Sequence, residues 1–464
     1  MIEKLTDISS TIQKPYYYWL KKNWYYHFFV TQFYQWAVEP GSVVLQIGCK
    51  TGYILDAVKP RIGVGVEAEN ECRESAQQQF SCYQFVQTIP EINDQKFDYI
   101  ILSSTLMETE DIQLLLLSLQ RFCSSHTRII IDGYSFLWEP LLWCAQKCGL
   151  RRQTIFKNWL SQTDIENFLY LSNFEKITNG RRMLFPWYIP GISYVLNRLL
   201  AYIPLVNRLC LIEWTIARSI AKKEIMNPTV SVIVPCRNER GTIETIVTNM
   251  PQFGQNTEII FVEGHSTDGT LNEIERVASL YPEKNVRCFV QTGADKGDAV
   301  RLGFSMAHND ILMIFDGDNT VPMHELPLFV QALIIGKGEL INGSRFVYAM
   351  ETGATRFLNV WVNYCFSLGF SWLLGQSVED TLCGTKVLLK KDYERIARNR
   401  SYFGEVDPFS DFDLLFGAAK LQLKIVDIPV HYKRRTYGSP QVRYFYHGFI
   451  LLRMWFFALG KFKF

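Results

Sequence analysis

A run of five apolar residues that ends in two aspartates constrains the fold more than any other stretch of this sequence. Residues 311–320 read Ile-Leu-Met-Ile-Phe-Asp-Gly-Asp-Asn-Thr. The run is too short for a helix and contains no polar residue, which is typical of a buried strand in a parallel α/β sheet covered by helices on both faces. Ligands bind at the carboxyl ends of such strands, so the pattern predicts that Asp316 and Asp318 lie in a cleft.

Asp316 and Asp318 together form a candidate metal site. Two carboxylates that are held close together repel each other and lose hydration, so they favour a bound cation. Hard oxygen ligands select Mg²⁺ or Mn²⁺, and a divalent ion held in this way can bridge the phosphates of a nucleotide. A plain strand-to-loop turn is the alternative, because Asp-Gly-Asp-Asn also suits a tight turn.

Length and composition indicate two domains and argue against one class of partner. With 464 residues the chain is long for one core, and a hydrophobic content of 48% is enough to fill two. A formal net charge of +2, without a dense run of Lys and Arg, argues against nucleic acid as the main partner. No stretch reaches the roughly 18 uniformly apolar residues that a membrane-spanning helix needs.

The cysteines and the start of the chain indicate the cellular compartment. The 11 cysteines are scattered without paired spacing. Cys144 and Cys148 are four residues apart, a spacing more typical of packing on a helix face than of a metal site. The first residues, Met1–Asp7, are polar and do not resemble a signal peptide. We therefore expect a protein of the reducing cytoplasm.

The first half of the chain alternates strands with helices. Residues 43–52 predict a strand that runs into a glycine turn, where Gly48 and Gly52 let the backbone approach a ligand closely. The helix that follows favours a negative group at its N-terminus. Further buried strands are predicted at 62–67, 97–103 and 127–132. This alternation predicts a doubly wound, Rossmann-like domain.

With Gly48, Gly52 and the strand-end acid Glu67 in this order, the first half resembles the class I S-adenosylmethionine-dependent methyltransferases. The resemblance implies a methyltransferase fold and makes Gly48, Gly52 and Glu67 candidate ligands of S-adenosylmethionine. Glu67 would bind the ribose. The segment 97–108, which ends at Glu108, matches the adenine side of the family's site.

Two residues depart from the family pattern in this region. Gln46 stands where the family has an acid, and Lys50 stands where it has the middle glycine of the loop. Lys50 places a long side chain where the backbone should approach the cofactor. Two interpretations are therefore open: the first half methylates the glycan with S-adenosylmethionine, or it is a non-catalytic docking module.

A second α/β domain is predicted after a polar linker at residues 222–228. Strands at 230–236 and 258–263, their polar loops and the helix that opens at Lys296 precede the two aspartates. These segments resemble the family 2 glycosyltransferases of the GT-A fold, over essentially everything after Pro228. The resemblance implies Mg²⁺ or Mn²⁺ on Asp316 and Asp318 and a nucleotide-sugar site. The residues that it implies for this site are Pro235, Asn238, Glu239, Glu263 and Lys296.

Two arginines bear on the acceptor. Arg345 in Gly-Ser-Arg-Phe and Arg435 in Arg-Thr-Tyr-Gly resemble segments of the polyprenyl-phosphate (dolichol-phosphate) sugar synthases, where such arginines clasp the acceptor phosphate. A guanidinium fork suits phosphate, and an ionised phosphate needs no strong general base. Asp380 is the candidate base for a hydroxyl acceptor, and orientation of Arg345 or Arg435 is its alternative role. Attack from the opposite face of the sugar would invert the anomeric centre.

Three aromatic segments are candidates for contact with a membrane surface. Residues 357–378 carry no charge and place Asn or Ser every four residues, which predicts a helix that lies in an interface. The C-terminal segment 444–464 is aromatic, with Arg453 inside it, and predicts an interfacial anchor. Burial against the domain or against an oligomer partner is the alternative. For residues 16–29, packing on the domain is favoured over membrane contact.

Taken together, these patterns predict an α/β protein of two domains. We expect a methyltransferase-like domain at 1–221, a linker at 222–228, a GT-A domain at 229–443 and an interfacial segment at 444–464. The expected function is metal-dependent, inverting transfer of a sugar from a nucleotide-sugar to a polyprenyl phosphate or lipid-linked glycan in cell-envelope polysaccharide synthesis. The expected location is the cytoplasm, peripheral on the inner face of the cytoplasmic membrane, and a homo-oligomer is left open.

Overall fold

The chain divides into two compact units in the computed structural model, Met1–Ala221 (unit 1) and Lys222–Phe464 (unit 2). Residues 14–152, 154, 157–220, 227–348, 357–402, 411–438 and 444–463 are described. The polar start Met1–Asp7 and residues 222–226 of the predicted linker lie outside the described residues.

A seven-stranded sheet forms the centre of unit 1. Its strands are β1 (Val43–Ile47), β2 (Ile62–Val66), β3 (Gln84–Val86), β4 (Phe97–Ser103), β5 (Cys123–Tyr134), β6 (Phe174–Arg182) and β7 (Ile212–Ser219). They lie in the order β3-β2-β1-β4-β5-β7-β6, and only β7 runs antiparallel to its neighbours among these strands. The carboxyl ends of β1, β2 and β4 therefore meet at one edge.

Helices cover both faces of this sheet. Val44 and Leu45 are adjacent in β1 but belong to different hydrophobic clusters, because successive side chains of a strand point to opposite faces. The described helices are α1 (Lys14–Lys22), α2 (Trp24–Ala37), α3 (Tyr53–Ala57), α4 (Asn70–Gln79), α5 (Thr105–Glu108), α6 (Ile112–Leu119), α7 (Glu139–Lys147), α8 (Gln162–Leu171) and α9 (Ile192–Tyr194).

Unit 2 is built on a second seven-stranded sheet. Its strands are β8 (Thr229–Cys236), β9 (Asn256–Glu263), β10 (Val286–Val290), β11 (Ile311–Ile314), β12 (Leu340–Ser344), β13 (Lys386–Leu389) and β14 (Ile425–Pro429). The order is β10-β9-β8-β11-β13-β12-β14. The described helices are α10 (Ile243–Asn249), α11 (Thr270–Leu280), α12 (Lys296–Met306), α13 (Leu326–Ile334), α14 (Phe357–Leu374), α15 (Lys390–Arg398), α16 (Asp411–Lys420) and α17 (Tyr444–Phe462).

The apolar run before the two aspartates forms β11 in the middle of this sheet. Every residue of β11 is buried, as the uninterrupted apolar sequence predicts. The sheet is not wholly parallel, however: β11 is parallel to β8 and antiparallel to β13. Because β13 also runs antiparallel to β12, its amino end lies at the edge where β8, β9, β11 and β12 end.

Helices α14 and α17 pack against each other through Trp372 and Trp455, whose ring centroids are 6.1 Å apart. The hydroxyls of Ser367 and Ser371 on α14 donate to the Val378 carbonyl oxygen at 2.6 and 3.2 Å. The described part of the polar stripe therefore faces the protein and satisfies a backbone acceptor, while apolar side chains of both helices are exposed. Within the described residues, no helix combines the length and the apolar character that crossing a membrane requires.

Candidate functional site

The predicted site residues of unit 2 lie at the edge where β8, β9, β11 and β12 end and β13 begins. The loops that leave these strands are joined by ion pairs, hydrogen bonds and close packing. Residues that these contacts bring together are Pro235, Glu239, Lys296, Asp316, Asp318, Arg345, Asp380 and Arg435, with Asn238 and Glu263 in the adjoining loops.

The loop that carries the two aspartates is a tight turn packed on the end of β8. Asn319 N–H donates to the Asp316 carbonyl oxygen at 3.2 Å. A Cβ added at Gly317 would lie 3.0 Å from the Pro235 carbonyl oxygen, which leaves little room for a side chain there. The turn is compatible with a role for both carboxylates, because it places Asp316 against Lys296 and Asp318 against Arg435.

Asp316 forms an ion pair with Lys296, the first residue of α12. Lys296 Nζ lies 2.6 Å from Asp316 Oδ1. Burial alone would raise the pKa of Asp316, but the charges of Lys296 and Arg345 outweigh it and hold the pKa below its usual value. Burial would likewise lower the pKa of Lys296, but Asp316 and Asp411 hold it above its usual value. The pair is therefore ionised at neutral pH.

Asp318 shares a guanidinium with Glu239. Arg435 Nη2 lies 3.2 Å from Asp318 Oδ2 and 2.7 Å from Glu239 Oε1. The Thr320 hydroxyl donates to the second oxygen of Asp318 at 2.9 Å. The sequence predicted that Arg435 clasps an acceptor phosphate, whereas here its guanidinium joins two acids of the predicted donor site. A phosphate that binds Arg435 would have to replace Glu239 and Asp318 as its partners.

Glu239 is a carboxyl group with a perturbed pKa. Burial raises the pKa of Glu239 to about 7, although the Arg435 charge lowers it, and nearby Asp318 and Asp268 raise it further. Its Oε2 atom is buried and has no hydrogen-bond partner among the described residues. A carboxyl group of this kind is protonated in a large fraction of molecules at neutral pH and can then donate a hydrogen bond.

Asn238 and Glu263 order the loops beside the site. Asn238 Oδ1 accepts the backbone N–H of Thr267 at 2.8 Å. The two oxygens of Glu263 accept the backbone N–H groups of His265 and Ser266 at 3.1 and 2.5 Å, and the residue is only 3% exposed. The predicted contact of Glu263 with a nucleotide base stays a prediction, since these bonds bind its carboxylate to its own loop.

Arg345 and Asp380 form a two-fold hydrogen-bonded ion pair. Arg345 Nε and Nη2 donate to Asp380 Oδ2 and Oδ1 at 2.6 and 2.9 Å. The backbone N–H groups of Arg345 and Leu382 donate to the same carboxylate at 3.2 and 3.0 Å, and Asp380 is fully buried. The guanidinium also lies over the Tyr432 ring. Of the two predicted roles of Asp380, this geometry favours orientation of Arg345 over action as a base.

Two features of the site were missed in the sequence. Gly384 lies directly on Asp316, since an added Cβ would be 2.1 Å from Asp316 Oδ2. Lys386 is fully buried and its Nζ lies 2.8 Å from Asp411 Oδ1, so it places a second internal cation near Asp316. The tetrapeptide Cys-Gly-Thr-Lys gives no sign of the contact between Gly384 and Asp316. For Lys386, a lysine at the start of an apolar strand was a usable signal of a buried cation.

A third missed feature is the pairing of His431 with Glu325. His431 Nδ1 lies 2.5 Å from Glu325 Oε1, and its backbone N–H donates to Glu325 Oε2 at 3.0 Å. The imidazole stacks on the Tyr348 ring, with centroids 4.2 Å apart. His431 lies two residues before Lys433, whose N–H donates to the Thr320 carbonyl oxygen at 2.9 Å. His431 and Glu325 thus form a paired base and acid close to the loop that carries Asp318.

Asp316 and Asp318 fit a divalent ion that is also bound by a diphosphate. Their side chains are 35% and 19% exposed, so their oxygens are accessible. Within the part of the chain that is described, no three His, Cys, Asp or Glu side chains are grouped to hold a metal. Mg²⁺ commonly takes one or two carboxylates and completes its coordination with water and substrate phosphates. The pair therefore suits metal binding together with a nucleotide.

Unit 1 contains a cavity of about 870 Å³ at the carboxyl ends of β1 and β4. Gly48 lines it, whereas Gly52 packs on Phe85, whose ring would lie 3.0 Å from an added Cβ. Glu67 is only 4% exposed, and both of its oxygens accept backbone N–H groups. Of the three predicted ligands of S-adenosylmethionine, Gly48 alone faces the cavity with an accessible surface, so the residues present do not fit this cofactor in the family's manner.

Each of the two units matches a different family of known proteins. Residues 231–396 match the family model described as Glycosyl transferase family 2. Unit 2 carries a glycosyl transferase family 2 domain. Residues 31–184 match the model described as Methionine biosynthesis protein MetW, which is methyltransferase-like. These matches and the two α/β sheets confirm the resemblances and the fold class that the sequence predicted.

Individual relatives match parts of the glycosyltransferase domain. A dolichol-phosphate mannosyltransferase of Pyrococcus furiosus is 32% identical over 120 residues, or 25% of this chain and 33% of that protein. An undecaprenyl-phosphate 4-deoxy-4-formamido-L-arabinose transferase of Aeromonas hydrophila is 28% identical over 111 residues, or 23% and 34%. The chain thus spans about a third of the length of these relatives. Glucosyl-3-phosphoglycerate synthase of Mycobacterium tuberculosis aligns at 16% identity over 51% of this chain and 80% of that chain, with a TM-score of 0.36.

Proposed function

We propose that unit 2 is a metal-dependent, inverting glycosyltransferase that moves a sugar from a nucleotide-sugar to a polyprenyl phosphate or lipid-linked glycan in cell-envelope polysaccharide synthesis. The observation that carries this proposal is the turn after β11, which places Asp316 against Lys296 and Asp318 against Arg435 within a glycosyl transferase family 2 domain. Lys296 and Arg435, the cations that face the two aspartates, are suited to bind the phosphates of a donor.

Several residues at this edge of the sheet would contribute to breaking the bond between the sugar and the nucleoside diphosphate. Asp316 and Asp318 would hold Mg²⁺ or Mn²⁺, which neutralises charge on the departing nucleoside diphosphate. Lys296 can turn its ammonium group from Asp316 to a phosphate oxygen. Protonated Glu239 can donate a hydrogen bond from Oε2 to an acceptor atom of the nucleotide.

The state of Asp380 supports a phosphate acceptor. Its carboxylate is fully buried and accepts bonds from Arg345 and Leu382, so it has no accessible oxygen with which to take a proton from a hydroxyl. Asp380 instead fixes the Arg345 guanidinium, which is suited to bind an acceptor phosphate. Such an acceptor is already ionised and needs no base. Relatives whose names specify dolichol phosphate and undecaprenyl phosphate support the same choice.

The exposed face of α14 and α17 supports a peripheral membrane location on the inner leaflet of the cytoplasmic membrane. A lipid-linked acceptor requires contact with a membrane, and amphipathic helices that lie flat provide it. Arg453 and Lys461 on α17 add positive charge that anionic lipids favour. Among the described side chains of these two helices, the exposed large apolar ones are Val362, Tyr364, Leu368, Phe449, Leu452 and Phe456.

Binding of the donor is the direct test of the proposed site. We expect titration of the full chain with UDP-sugars and GDP-sugars in the presence of Mn²⁺ to give calorimetric heat for at least one nucleotide. Removal of the metal with EDTA should weaken binding at least about tenfold, because the two aspartates would then repel the diphosphate and occupy the Lys296 and Arg435 cations that should bind it. Failure of every nucleotide-sugar to bind with Mn²⁺ present would overturn the proposal.

Glu239→Gln is expected to change the pH dependence of stability. The usual pKa of the Glu239 carboxyl is 4.5 and its pKa in the folded protein is about 7. The folded state therefore holds a proton that the unfolded state has released, and the free energy of unfolding falls as pH rises through this window. Tm measured by calorimetry between about pH 4.5 and 7 should fall more steeply in the wild type than in Glu239→Gln.

The exposed Glu275 on α11 provides the control for this pH experiment, since Glu275→Gln removes a carboxyl group away from the site. Its Tm profile should follow the wild type. Parallel profiles for the wild type and Glu239→Gln would show that Glu239 is not protonated near neutral pH.

Replacement of Phe449 and Phe456 by serine is expected to release the protein from anionic liposomes. Both side chains are exposed on α17, at 68% and 60%, so their loss should weaken sedimentation with vesicles without unfolding unit 2. Leu328→Ser on α13 removes an apolar side chain that is 50% exposed elsewhere and should leave sedimentation unchanged. Conversion of a wild-type dimer to a monomer, with vesicle binding unaltered, would instead assign this face to a second copy of the chain.

A further inference from the structure

Lys50 occupies a backbone position suited to glycine. Its φ is +49°, in the left-handed region that L-residues other than glycine rarely adopt. The same position holds glycine in the methyltransferases that unit 1 resembles. The loop after β1 thus keeps the family's backbone conformation, but it carries a long cationic side chain in place of a hydrogen atom.

The Lys50 side chain crosses the cleft between neighbouring strand ends. Lys50 Nζ lies 2.9 Å from Glu108 Oε2, which belongs to α5 just after β4. Burial would lower the pKa of Lys50, but Glu67 and Glu108 raise it above its usual value, so the amine stays protonated. Both Lys50 and Glu108 line the cavity of unit 1. The ion pair therefore occupies the edge where ligands of doubly wound sheets bind.

Glu67 is bound internally in the same region. Its Oε2 accepts the backbone N–H of Lys50 at 2.8 Å, and its Oε1 accepts the backbone N–H of Glu69 at 3.0 Å. A ribose could bind Glu67 only by displacing these bonds from a carboxylate that is 4% exposed. The acid that should recognise the ribose thus joins the loops after β1 and β2 to each other.

The cleft carries less negative charge than the family pattern predicts. Gln46, a neutral amide, replaces an acid, and its Oε1 is buried against the cavity with no hydrogen-bond partner among the described residues. Lys50, Arg151 and Arg152 line the cavity together with Glu69 and Glu108, and Lys50 is paired with Glu108 and Arg152 with Glu69. S-adenosylmethionine carries a sulfonium cation at its reactive centre, and Lys50 places a positive charge where the family pattern has an uncharged glycine.

We propose that unit 1 does not bind S-adenosylmethionine, because the Lys50–Glu108 ion pair crosses the cofactor cleft and the Lys50 ammonium disfavours the sulfonium group. The cavity, which is lined by three cations and two acids, is left for a neutral or anionic ligand that can pack on its aromatic wall. Unit 1 is then a binding module, and the chain has one catalytic centre rather than two. This inference does not depend on the function proposed for unit 2.

The wild type and two variants of the full chain test the inference by calorimetry with S-adenosylmethionine and S-adenosylhomocysteine. The wild type should not bind S-adenosylmethionine at concentrations up to about 1 mM. Lys50→Gly removes both the bulk and the charge and should gain at least about tenfold in affinity. Lys50→Gln keeps the bulk and removes the charge, so it should gain less. S-adenosylhomocysteine has a neutral thioether in place of the sulfonium, so its gain in affinity should be smaller than that of S-adenosylmethionine.

Lys59→Gly is the matched control. Lys59 is exposed and has the same φ of +49°, so its replacement relieves the same backbone strain away from the cleft. It should stabilise unit 1 to heat without creating cofactor binding. Micromolar binding of S-adenosylmethionine by the wild type would overturn the inference. Failure of a correctly folded Lys50→Gly chain to gain affinity would also overturn it, since Lys50 would then not be the obstacle.

Discussion

Asp316→Asn is expected to lower the rate of sugar transfer about a thousandfold, because it removes a charged ligand from the position where charge develops on the leaving diphosphate. It also removes one of the two proposed metal ligands, so donor binding in the presence of metal should weaken as well, even though the Lys296 ammonium loses its partner at 2.6 Å and is free to bind a phosphate. The rate is measured from release of the nucleoside diphosphate at saturating acceptor.

Asp310→Asn is the control for this substitution. Asp310 lies just before β11, at the opposite end of the same strand, and it is exposed. Its replacement should leave the rate of transfer unchanged. Equal rates for Asp316→Asn and the wild type, with both proteins folded by circular dichroism, would remove Asp316 from the catalytic site.

Gly384→Ala is expected to lower the rate of sugar transfer about a hundredfold, because it displaces the Asp316 carboxylate. The added methyl carbon would lie 2.1 Å from Asp316 Oδ2, far inside van der Waals contact. Since Gly384 does not adopt a positive φ, the backbone itself tolerates alanine, and the Asp316 side chain has to move away from Lys296. The fall should appear in kcat and in metal dependence, with little change in Tm.

Gly460→Ala provides the comparison, because a Cβ added there on α17 meets no atom within 4 Å. Replacement of a glycine inside a helix by alanine is normally stabilising by about 0.5–1 kcal/mol, so this variant should be slightly more stable and fully active. Unchanged kcat in Gly384→Ala would mean that the position of the Asp316 carboxylate is not critical for transfer.

Local sequence patterns were sufficient to place the edge of the sheet where the site lies. Ile311 to Phe315 is an uninterrupted apolar run, and such a run can be buried only in the middle of a covered sheet. Its end therefore gave the position of Asp316 and Asp318. The order of the surrounding segments gave the resemblance to family 2 glycosyltransferases, which the match of residues 231–396 confirms.

Contacts between distant segments could not be predicted in the same way. Arg435 is 196 residues from Glu239 and 117 from Asp318, and no local pattern says which acid it joins. Likewise, the four residues of β13 show no alternation of polar and apolar side chains and give no sign of strand direction. Its antiparallel pairing with β11 was therefore not predicted. Such pairings depend on the whole topology of the sheet.

The four-residue spacing of Asn and Ser on α14 identified a polar stripe, but it did not show which face of the helix packs against the protein. Residues four apart share a face of a helix, which the spacing of Ser367 and Ser371 showed. Whether that face meets water or protein depends on what it can bond to, and here both hydroxyls donate to the Val378 carbonyl oxygen. The apolar face is the exposed one, which strengthens the proposal of a membrane surface.

Transfer of labelled sugar to a lipid phosphate tests the central proposal most directly. The purified chain is incubated with Mn²⁺, a radiolabelled nucleotide-sugar that binds it and undecaprenyl phosphate in detergent, and the label is followed into the organic phase. We predict lipid-linked label that requires both Mn²⁺ and Asp316, with the anomeric configuration inverted. Label that reaches only a water-soluble hydroxyl acceptor, with His431 rather than Arg345 required for its transfer, would contradict the proposal of a phosphate acceptor.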